Sequence, residues 1–254
     1  MKALLLCAGY ATRLYPLTLN KPKALLEVGG RTMIGRIIDK IFHVAGCDEA
    51  YIVTNHRFYR DFSDWVVKEK DAGFFSGKKV VVIDDETASN ETRLGAIGDM
   101  AYAVDRMGAA DDLLVMGSDN LFDFDLSLFV GFAGSKSPSA SLALYDVQDL
   151  KKASLYGIVI LNEGSCEVED FQEKPREPRS TLAATAIYYY PREKVALLGE
   201  YMKSGRPKDA PGNFVKWLSE REKVYGYVFR GRWYDIGDQK SLEKADREYR
   251  EKAK

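Results

Sequence analysis

The first half of the chain alternates short apolar runs with segments whose apolar residues recur at helical spacing. The apolar runs predict four strands, in KALLLCAG, AYIVTN, KKVVVIDD and DDLLVMGSDN. The segments between them predict three helices, in MIGRIIDKIFHVAG, FYRDFSDWVVKEKDAG and GAIGDMAYAVDRMG. Strands that are apolar at successive positions are typical of parallel strands covered on both faces. We therefore expect an α/β fold with a mainly parallel central sheet.

The first predicted helix has the clearest periodicity in this half of the chain. Its apolar face consists of Ile34, Ile37, Ile38, Ile41 and Phe42. Glycines at the far ends of the first two helical segments are placed to end them, at Gly46 and near Gly73.

The rhythm changes after about residue 135, where strand patterns follow one another with few helices between them. Strands are predicted in SASLALYDV, YGIVILN, SCEVEDFQEKP and LAATAIYYYP, and a late strand in VYGYVFRGRWYDIG. Helices are predicted in PREKVALLGEYMKSG and GNFVKWLSEREK, and a charged helix from near Asp238 to the end. Because no linker or repeat separates the two parts, we predict one domain over 1–254, with the second part extending the sheet of the first.

Composition and charge exclude several classes of protein. The 254 residues are 46% hydrophobic, which is enough for one sizeable core. With 37 Lys and Arg against 38 Asp and Glu, the net charge of −1 predicts neither nucleic acid nor a membrane as partner. No apolar run approaches the roughly 18 residues of a membrane span, and the run in MKALLLCAGY is too short for a signal peptide. We expect a cytoplasmic protein.

The few cysteines and histidines argue against thiol chemistry and zinc. Cys7, Cys47 and Cys166 are odd in number and far apart, so neither a disulfide framework nor a cysteine metal site is expected. Cys7 falls in a predicted buried strand, where a thiol is normally inert. His43 is expected on a helix and His56 in a loop, and neither is assigned a catalytic role. A metal ion in this protein would be held by oxygen atoms.

The loop after the first strand, AGYATRLYPLTLNKPKALLEVGG, is the most informative segment. In an open parallel sheet, ligands bind beyond the carboxyl ends of the strands. Small residues there allow backbone N–H groups to approach phosphate oxygens, here Ala8, Gly9, Ala11 and Thr12. Arg13 adds a planar guanidinium group suited to binding two phosphate oxygens, and Lys23 adds a mobile positive charge. The chain has neither GxxxxGK[ST] nor GxGxxG, so a solvated loop with incidental cations remains the alternative.

The same loop resembles the signature of the sugar-1-phosphate nucleotidyltransferases, also called nucleotide-sugar pyrophosphorylases. That signature has a small-residue loop, Thr-Arg, a proline-containing spacer and Pro-Lys. Ala11 stands where the family usually has a second glycine, and alanine resists positive φ. The resemblance implies a single-domain, Rossmann-like nucleotidyltransferase fold. Residues of about 1–135 would bind the nucleotide, including Arg13, and about 136–254 would form a smaller, β-rich sugar-binding part with the C-terminal helix.

Two aspartates follow predicted strands in distant parts of the chain, Asp119 in GSDN and Asp235 in WYDIGD. Taken alone, each is more typical of a turn or a helix cap. Both motifs resemble metal-binding segments of the family, which implies that Asp119 and Asp235 bind Mg²⁺. That ion needs few carboxylates when phosphates and water complete its coordination.

The segments YGIV and FQEKPREPRSTLAATAIYYYP resemble glucose-1-phosphate thymidylyltransferases most closely. By this resemblance Gly157 presents backbone to the sugar, Glu173 accepts from sugar hydroxyls, Lys174 meets the sugar phosphate, and Thr185 is a further sugar contact. The family reads the nucleobase near DETASNETRLGAIGD, where Leu94 and Gly95 align. The thymidylyl branch has a glutamine nearby, whereas this chain has Ile97 and Gly98, so the nucleobase is left open, as are the sugar and the oligomeric state.

The activity that the resemblance implies joins a nucleoside triphosphate to a sugar 1-phosphate and releases pyrophosphate. The sugar phosphate would attack the α-phosphorus in line, with Lys23 and Mg²⁺ stabilising the α-phosphoryl group and Arg13 the pyrophosphate. A glycosyltransferase that consumes a finished nucleotide sugar is one alternative, although it has little need for Arg13 and Lys23. A non-catalytic protein that binds nucleotide sugars is another, although mere binding needs fewer metal ligands than Asp119 and Asp235.

Overall fold

The computed structural model describes residues 1–108 and 111–252, which form thirteen strands, nine α-helices and two short 3-10 helices. The strands are β1 Lys2–Leu6, β2 Glu27–Val28, β3 Arg31–Thr32, β4 Glu49–Thr54, β5 Lys79–Asp84, β6 Leu113–Gly117, β7 Asn120–Phe122, β8 Ala140–Asp146, β9 Gly157–Leu161, β10 Val168–Glu173, β11 Leu182–Tyr190, β12 Val224–Val228 and β13 Trp233–Asp235. The helices are α1 Met33–Phe42, α2 His56–Asp71, α3 Ala96–Met107, α4 Leu126–Ser135, α5 Leu150–Ala153, α6 Arg192–Val195, α7 Leu198–Lys203, α8 Gly212–Ser219 and α9 Gln239–Lys252. The 3-10 helices are Thr12–Leu14 and Lys23–Leu25.

Four parallel strands in the order β5-β4-β1-β6 form one side of a nine-stranded mixed sheet, with β5 at its edge. Residues of β1 alternate between the two hydrophobic clusters that cover this sheet. Ala3 and Leu5 pack with α1 and α2 on one face, and Leu4 packs with α3 on the other. Burial on both faces is the physical reason for the uninterrupted apolar runs. The predicted α/β class with a mainly parallel central sheet is confirmed.

The strands after residue 135 extend this sheet in antiparallel fashion. β11 pairs with β6, and β9, β10 and β8 are added beyond it in antiparallel pairs. β12 then pairs with β8 in parallel. Strands of both parts of the chain therefore share one sheet, while the functional division at about residue 135 stays a prediction. Tyr188, Tyr189 and Tyr190 are buried in β11, as expected for strand packing.

Two local predictions are wrong. The segment expected as one late strand is two, β12 and β13, which belong to different sheets because a turn at Gly231, with φ of 123°, separates them. The segment PREKVALLGEYMKSG is helical as predicted and is divided into α6 and α7, whereas α4 was not predicted. His56 begins α2 instead of lying in a loop, because the Asn55 side chain accepts a hydrogen bond from Phe58 N and caps the helix.

The small sheet of β7 and β13 brings the late chain to the end of β6. Its antiparallel register places Asp235 opposite Asn120. Ile236 N also donates to Asp119 O at 3.0 Å. These backbone bonds hold the two acidic segments side by side at the carboxyl end of the parallel strands. In the described part of the chain, every helix is too short or too polar to cross a membrane.

Candidate active site

Three neighbouring cavities at the carboxyl ends of the parallel strands share one lining residue, Asp119. The largest has a volume of about 690 Å³ and reaches from Arg13 to Glu173 and Lys174. The second, of about 420 Å³, lies between the loop after β1 and the start of α3. The third, of about 160 Å³, contains Lys23. A ligand with two chemically different ends can therefore span the site across Asp119.

The loop after β1 has a fixed backbone shape. Asn55 Nδ2 donates to the carbonyl oxygen of Ala8 at 2.8 Å, and Thr18 Oγ1 donates to that of Ala11 at 2.9 Å. Between these bonds Ala11 adopts φ 48° and ψ 44°, in the left-handed region. A Cβ atom makes this conformation cost about 1 kcal/mol or more. The loop thus requires positive φ at the position where the family usually has glycine.

Lys23 and Asp119 form the ion pair at the junction of the cavities. Lys23 Nζ lies 2.8 Å from Asp119 Oδ2, and Asn120 Nδ2 donates to Asp119 Oδ1 at 2.7 Å. Asn120 is itself held because its Oδ1 accepts from Trp233 Nε1 at 2.8 Å. Burial acts to raise the pKa of Asp119, but Lys23 and the hydrogen bonds to the carboxylate outweigh it and lower that pKa. Asp119 is accordingly held ionised.

Asp235 is the second carboxylate at this junction and has the opposite electrostatic behaviour. Burial raises its pKa to about 6, with the negative charge of Asp119 adding to the shift. Two carboxylates that repel each other in this way would be stabilised by a divalent cation between them. No group of three or more His, Cys, Asp or Glu side chains in the described ranges could hold a metal ion. Two carboxylates together with substrate phosphates nevertheless suit Mg²⁺.

The far end of the large cavity carries Glu173 and Lys174 at the end of β10. Burial raises the pKa of Glu173, and the charge of Lys174 counteracts the rise. A Cβ atom on Gly157 would lie 2.8 Å from Phe171 Cζ and 3.2 Å from Glu173 Oε2. Gly157 is therefore required for the aromatic ring and the carboxylate to fit, and it leaves its backbone open to the cavity.

Eleven of the fourteen predicted site residues line these three cavities. They are Ala8, Gly9, Ala11, Arg13, Lys23, Gly95, Asp119, Gly157, Glu173, Lys174 and Asp235. Thr12 and Leu94 line none of the three. Thr12 begins an exposed 3-10 helix, and half-buried Leu94 lies just before α3.

The expected sugar contact of Thr185 is wrong in this structure. Thr185 is fully buried, and its Oγ1 donates to Ala143 O at 2.9 Å. Its neighbours Ala184 and Ala186 line the large cavity instead. The hydroxyl therefore stabilises the pairing of β11 with β8, and the strand alternation turns it away from the ligand space.

Several cavity residues were missed by the sequence analysis. Asn120 orients Asp119 and follows it directly in GSDN, so the motif contained the signal. Asp209 and Pro211 line both larger cavities, but no motif surrounds them. Tyr10 and Asp99 line the second cavity and were not assigned a role. Side chains of this kind are brought to the site by loop packing, which leaves no periodic pattern.

Cys7 lines the third cavity, but neither a thiol nor an imidazole is placed there as a reactive group. Burial raises the pKa of the Cys7 thiol to about 12, so it remains a neutral thiol. His56 Nδ1 lies 2.6 Å from Asp84 Oδ2 on the exposed side of α2, and neither residue lines the three cavities. A covalent intermediate on cysteine is not supported by this geometry.

Curated relatives align with this chain over most of its length. Bifunctional protein GlmU of Methanocaldococcus jannaschii is 27% identical over 237 residues, which cover 93% of this chain and 51% of the relative. Mannose-1-phosphate guanylyltransferase 1 of Arabidopsis thaliana is 29% identical over 249 residues, which cover 93% of this chain and 61% of the relative. The chain thus spans about half to three fifths of these relatives.

Solved structures share the fold. A protein of Bacillus anthracis assigned as a glucose-1-phosphate thymidylyltransferase superposes with a TM-score of 0.83 at 23% identity, over 98% of this chain and 95% of that one. A UDP-glucose pyrophosphorylase in complex with UDP-glucose gives 0.82 at 23% identity, over 99% and 98%.

The family model described as nucleotidyl transferase matches residues 2–252, a range that includes the loop after β1, both junction aspartates and the Glu173–Lys174 end of the large cavity. The predicted motifs meet at one junction, and the fold is shared with the two solved structures described above. This chain belongs to the nucleotidyl transferase family.

Proposed function

We propose that this chain transfers the nucleotidyl group of a nucleoside triphosphate to a sugar 1-phosphate, giving a nucleotide sugar and pyrophosphate. The observation that carries the proposal is the junction at Asp119. There the phosphate-loop residues, Lys23 and Asp235 meet between a cavity at the start of α3 and a cavity ending in Glu173 and Lys174. The relatives and the solved structures, several of which are named for such reactions, support it.

The triphosphate would lie along the loop after β1. Backbone groups of Ala8, Gly9 and Ala11, with Thr12 beside them, would face the phosphates, and Gly95 would border the nucleoside, with Leu94 next to it. Arg13 lines the large cavity from an exposed position, so its guanidinium is free to hold the departing pyrophosphate. Lys23 would stabilise charge on the α-phosphoryl group from its position beside Asp119.

A divalent metal is general in this family, and we propose that it is Mg²⁺ here. Asp119 and Asp235 would hold it, because they are the two carboxylates at the junction and the negative charge of Asp119 helps to raise the pKa of Asp235. A divalent cation between them would relieve that repulsion. When bound, the ion supplies positive charge to the phosphate oxygens. Asn120 and Trp233 keep the Asp119 carboxylate oriented toward that point.

The sugar 1-phosphate would occupy the large cavity. Lys174 would bind its phosphate, Glu173 would accept from sugar hydroxyls, and the backbone of Gly157 would lie against the ring. Lys174 would thus hold the nucleophilic phosphate close to the triphosphate, although both are negatively charged. This positioning is its contribution to catalysis. No covalent bond to the protein is needed. The three cysteines are free thiols, which supports a reducing, cytoplasmic setting for this reaction.

The test is a matrix of five nucleoside triphosphates against several sugar 1-phosphates, with Mg²⁺ present and pyrophosphate release as the readout. We expect release only when a triphosphate and a sugar phosphate are both present. Transfer from a finished nucleotide sugar to an acceptor, with no pyrophosphate formed in any pair, would indicate the glycosyltransferase alternative. Binding of nucleotide sugar without turnover in any pair would indicate a non-catalytic binding protein.

A further inference from the structure

Both oxygen atoms of the Asp119 carboxylate are engaged by side chains of the protein itself. Oδ2 lies 2.8 Å from Lys23 Nζ, and Oδ1 accepts a hydrogen bond from Asn120 Nδ2 at 2.7 Å. Carboxylate oxygens are also the atoms through which Asp119 would bind Mg²⁺. A divalent cation and the Lys23 ammonium are both positively charged, so they compete for the same oxygen. The side chains that hold Asp119 therefore also cover its metal-binding atoms.

Of the two donors, Asn120 is the fixed one. Its side chain is held at the other end because Trp233 Nε1 donates to Asn120 Oδ1 at 2.8 Å, and the residue is only 5% exposed. Turning the amide away from Asp119 would break both hydrogen bonds in a buried place, which destabilises the fold. We therefore expect Asn120 to stay on Asp119 Oδ1 when ligands bind.

Lys23 is the donor that can move. Its backbone is fixed at the start of the 3-10 helix Lys23–Leu25, where Leu26 N donates to Lys23 O and the two residues after Lys23 are buried. The ammonium, however, is carried on a flexible four-carbon chain, and Asp119 is its one hydrogen-bond partner among the residues that the structure describes. Rotation about the side-chain bonds is thus enough to separate the pair without a change in the fold.

The third cavity gives Lys23 a second place to bind. This cavity lies beside the ion pair and is bordered by Gly9 and Ala11 of the loop after β1, which would face the phosphates. The side chain of Lys23 is only 14% exposed, so water and salt screen its attraction to a nearby charge weakly. A triphosphate carries several negative charges, whereas Asp119 carries one. A triphosphate along this loop would therefore draw the ammonium away from Asp119.

We infer that Lys23 controls access of the metal ion to Asp119, and so couples metal binding to the arrival of the triphosphate. Without phosphate in the third cavity, the ammonium stays on Asp119 Oδ2 and competes with the cation. When a phosphate takes over the ammonium, Oδ2 becomes free, so the cation and the triphosphate bind more tightly together than either does alone. By thermodynamic linkage the effect is reciprocal. The inference rests on the proposed function and assigns Lys23 a second task in it.

Metal binding in the absence of any phosphate tests the competition. Mn²⁺ is the probe, because electron paramagnetic resonance measures its free concentration. We expect Lys23→Met to bind Mn²⁺ about tenfold more tightly than wild type, which is within the usual range of coupling between two sites. Lys174→Met is the matched control, because it removes one positive charge from the large cavity while both oxygens of Asp119 keep their donors. Its gain in affinity should be smaller. Equal Mn²⁺ affinity of Lys23→Met and wild type, or an equal gain in both variants, would overturn the inference.

Phosphate binding in the absence of metal tests the same competition from the other side and does not require Lys23→Met to fold. Inorganic triphosphate is the probe, with EDTA present and isothermal titration as the readout. Asp119→Asn releases Lys23 from its charged partner, whereas Asp235→Asn removes the other negative charge of the junction, to which Lys23 is not paired. We expect Asp119→Asn to bind triphosphate several-fold more tightly than Asp235→Asn. Equal affinities of the two variants would contradict the release of Lys23.

Both tests measure binding alone, so their outcome is separate from that of the proposed function. Absence of pyrophosphate release in the matrix of triphosphates and sugar 1-phosphates would count against nucleotidyl transfer. The Mn²⁺ and triphosphate affinities would still decide whether Lys23 and a cation compete for Asp119.

Discussion

Lys23 Nζ lies 2.8 Å from Asp119 Oδ2 although the two residues are 96 positions apart in the chain. The pair joins the loop after β1 to the end of β6, at the point that all three cavities share. A cation and a phosphate arriving at this junction would each find the partner of opposite charge already in place. The site is therefore organised before any ligand binds, which lowers the cost of ordering it during the reaction.

The two junction carboxylates should both be needed for metal-dependent turnover. We expect Asp119→Asn and Asp235→Asn each to lower pyrophosphate release by about a hundredfold or more, because each removes one charge from the proposed Mg²⁺ site. Asp64→Asn, on the exposed surface of α2, is the matched control and should be unchanged. Initial rates across a Mg²⁺ titration and thermal unfolding measure the two effects. Near-normal turnover of either variant at limiting Mg²⁺ would remove that residue from the metal site.

Arg13→Ala should lower turnover more than it lowers sugar 1-phosphate binding. A charge developing on the departing pyrophosphate is stabilised more in the transition state than in the ground state. Losing one such contact commonly costs about 3 kcal/mol, or roughly a hundredfold in rate. Arg60→Ala, exposed on α2, controls for the loss of a surface arginine. Equal kcat in Arg13→Ala and wild type at saturating triphosphate would contradict this role.

Lys174 and Glu173 should separate phosphate binding from sugar choice. We expect Lys174→Ala to raise KM for the sugar 1-phosphate and lower kcat while triphosphate affinity stays the same, because the charge that attracts the nucleophile is lost. Glu173→Gln should mainly alter which sugar is accepted. Isothermal titration of both variants with each substrate tests the division. If Lys174→Ala weakened triphosphate binding and left sugar 1-phosphate binding unchanged, the two pockets would be assigned the wrong way round.

Ala11→Gly should stabilise the protein by about 1 kcal/mol, because glycine adopts φ of 48° without the Cβ penalty. The matched control is the reverse change, Gly30→Ala. Gly30 has φ of 77° and nothing within 4 Å of an added Cβ, so only backbone strain opposes alanine there. In chemical denaturation we therefore expect the free energy of unfolding to rise for Ala11→Gly and to fall for Gly30→Ala. A destabilised Ala11→Gly variant would show that alanine contributes packing that outweighs the strain.

The Asp85–Asp99 pair should make stability fall with rising pH. Burial and Asp85 raise the pKa of Asp99 to about 8 in the folded protein, so between about pH 4 and pH 8 the folded state binds more protons than the unfolded state. This contribution is complete at low pH and is lost as pH rises toward 8. Asp99→Asn cannot lose that proton. We expect its free energy of unfolding, relative to wild type, to increase from pH 5 to pH 9 in urea titrations.

If the free energies of unfolding of Asp99→Asn and wild type differed by the same amount at every pH in this range, Asp99 would not hold the extra proton. Asp105→Asn, exposed on the same helix, should give such a constant difference and serves as the control.

The sequence by itself determined the alternating core and named most of the residues that line the candidate site. Apolar runs such as KALLLCAG and the spacing of Ile34, Ile37 and Ile41 are local patterns set by burial, so the parallel strands and α1 were predictable. The loop residues and the two aspartates lie in contiguous motifs, which is why Arg13, Lys23, Asp119 and Asp235 could be named. Each of these four lines the cavities of the folded chain.

Only the tertiary structure decided contacts between distant segments. Whether Thr185 faces the ligand or β8 depends on the pairing of β11. In the folded chain its hydroxyl donates a hydrogen bond to Ala143 O. The partition of the late strand into β12 and β13 depends on two different partners, β8 and β7. The effect of Asp85 on the pKa of Asp99 likewise links the end of β5 to the start of α3. Such pairings arise from packing across the fold, where the interaction lies between segments and leaves no periodic signal in either one.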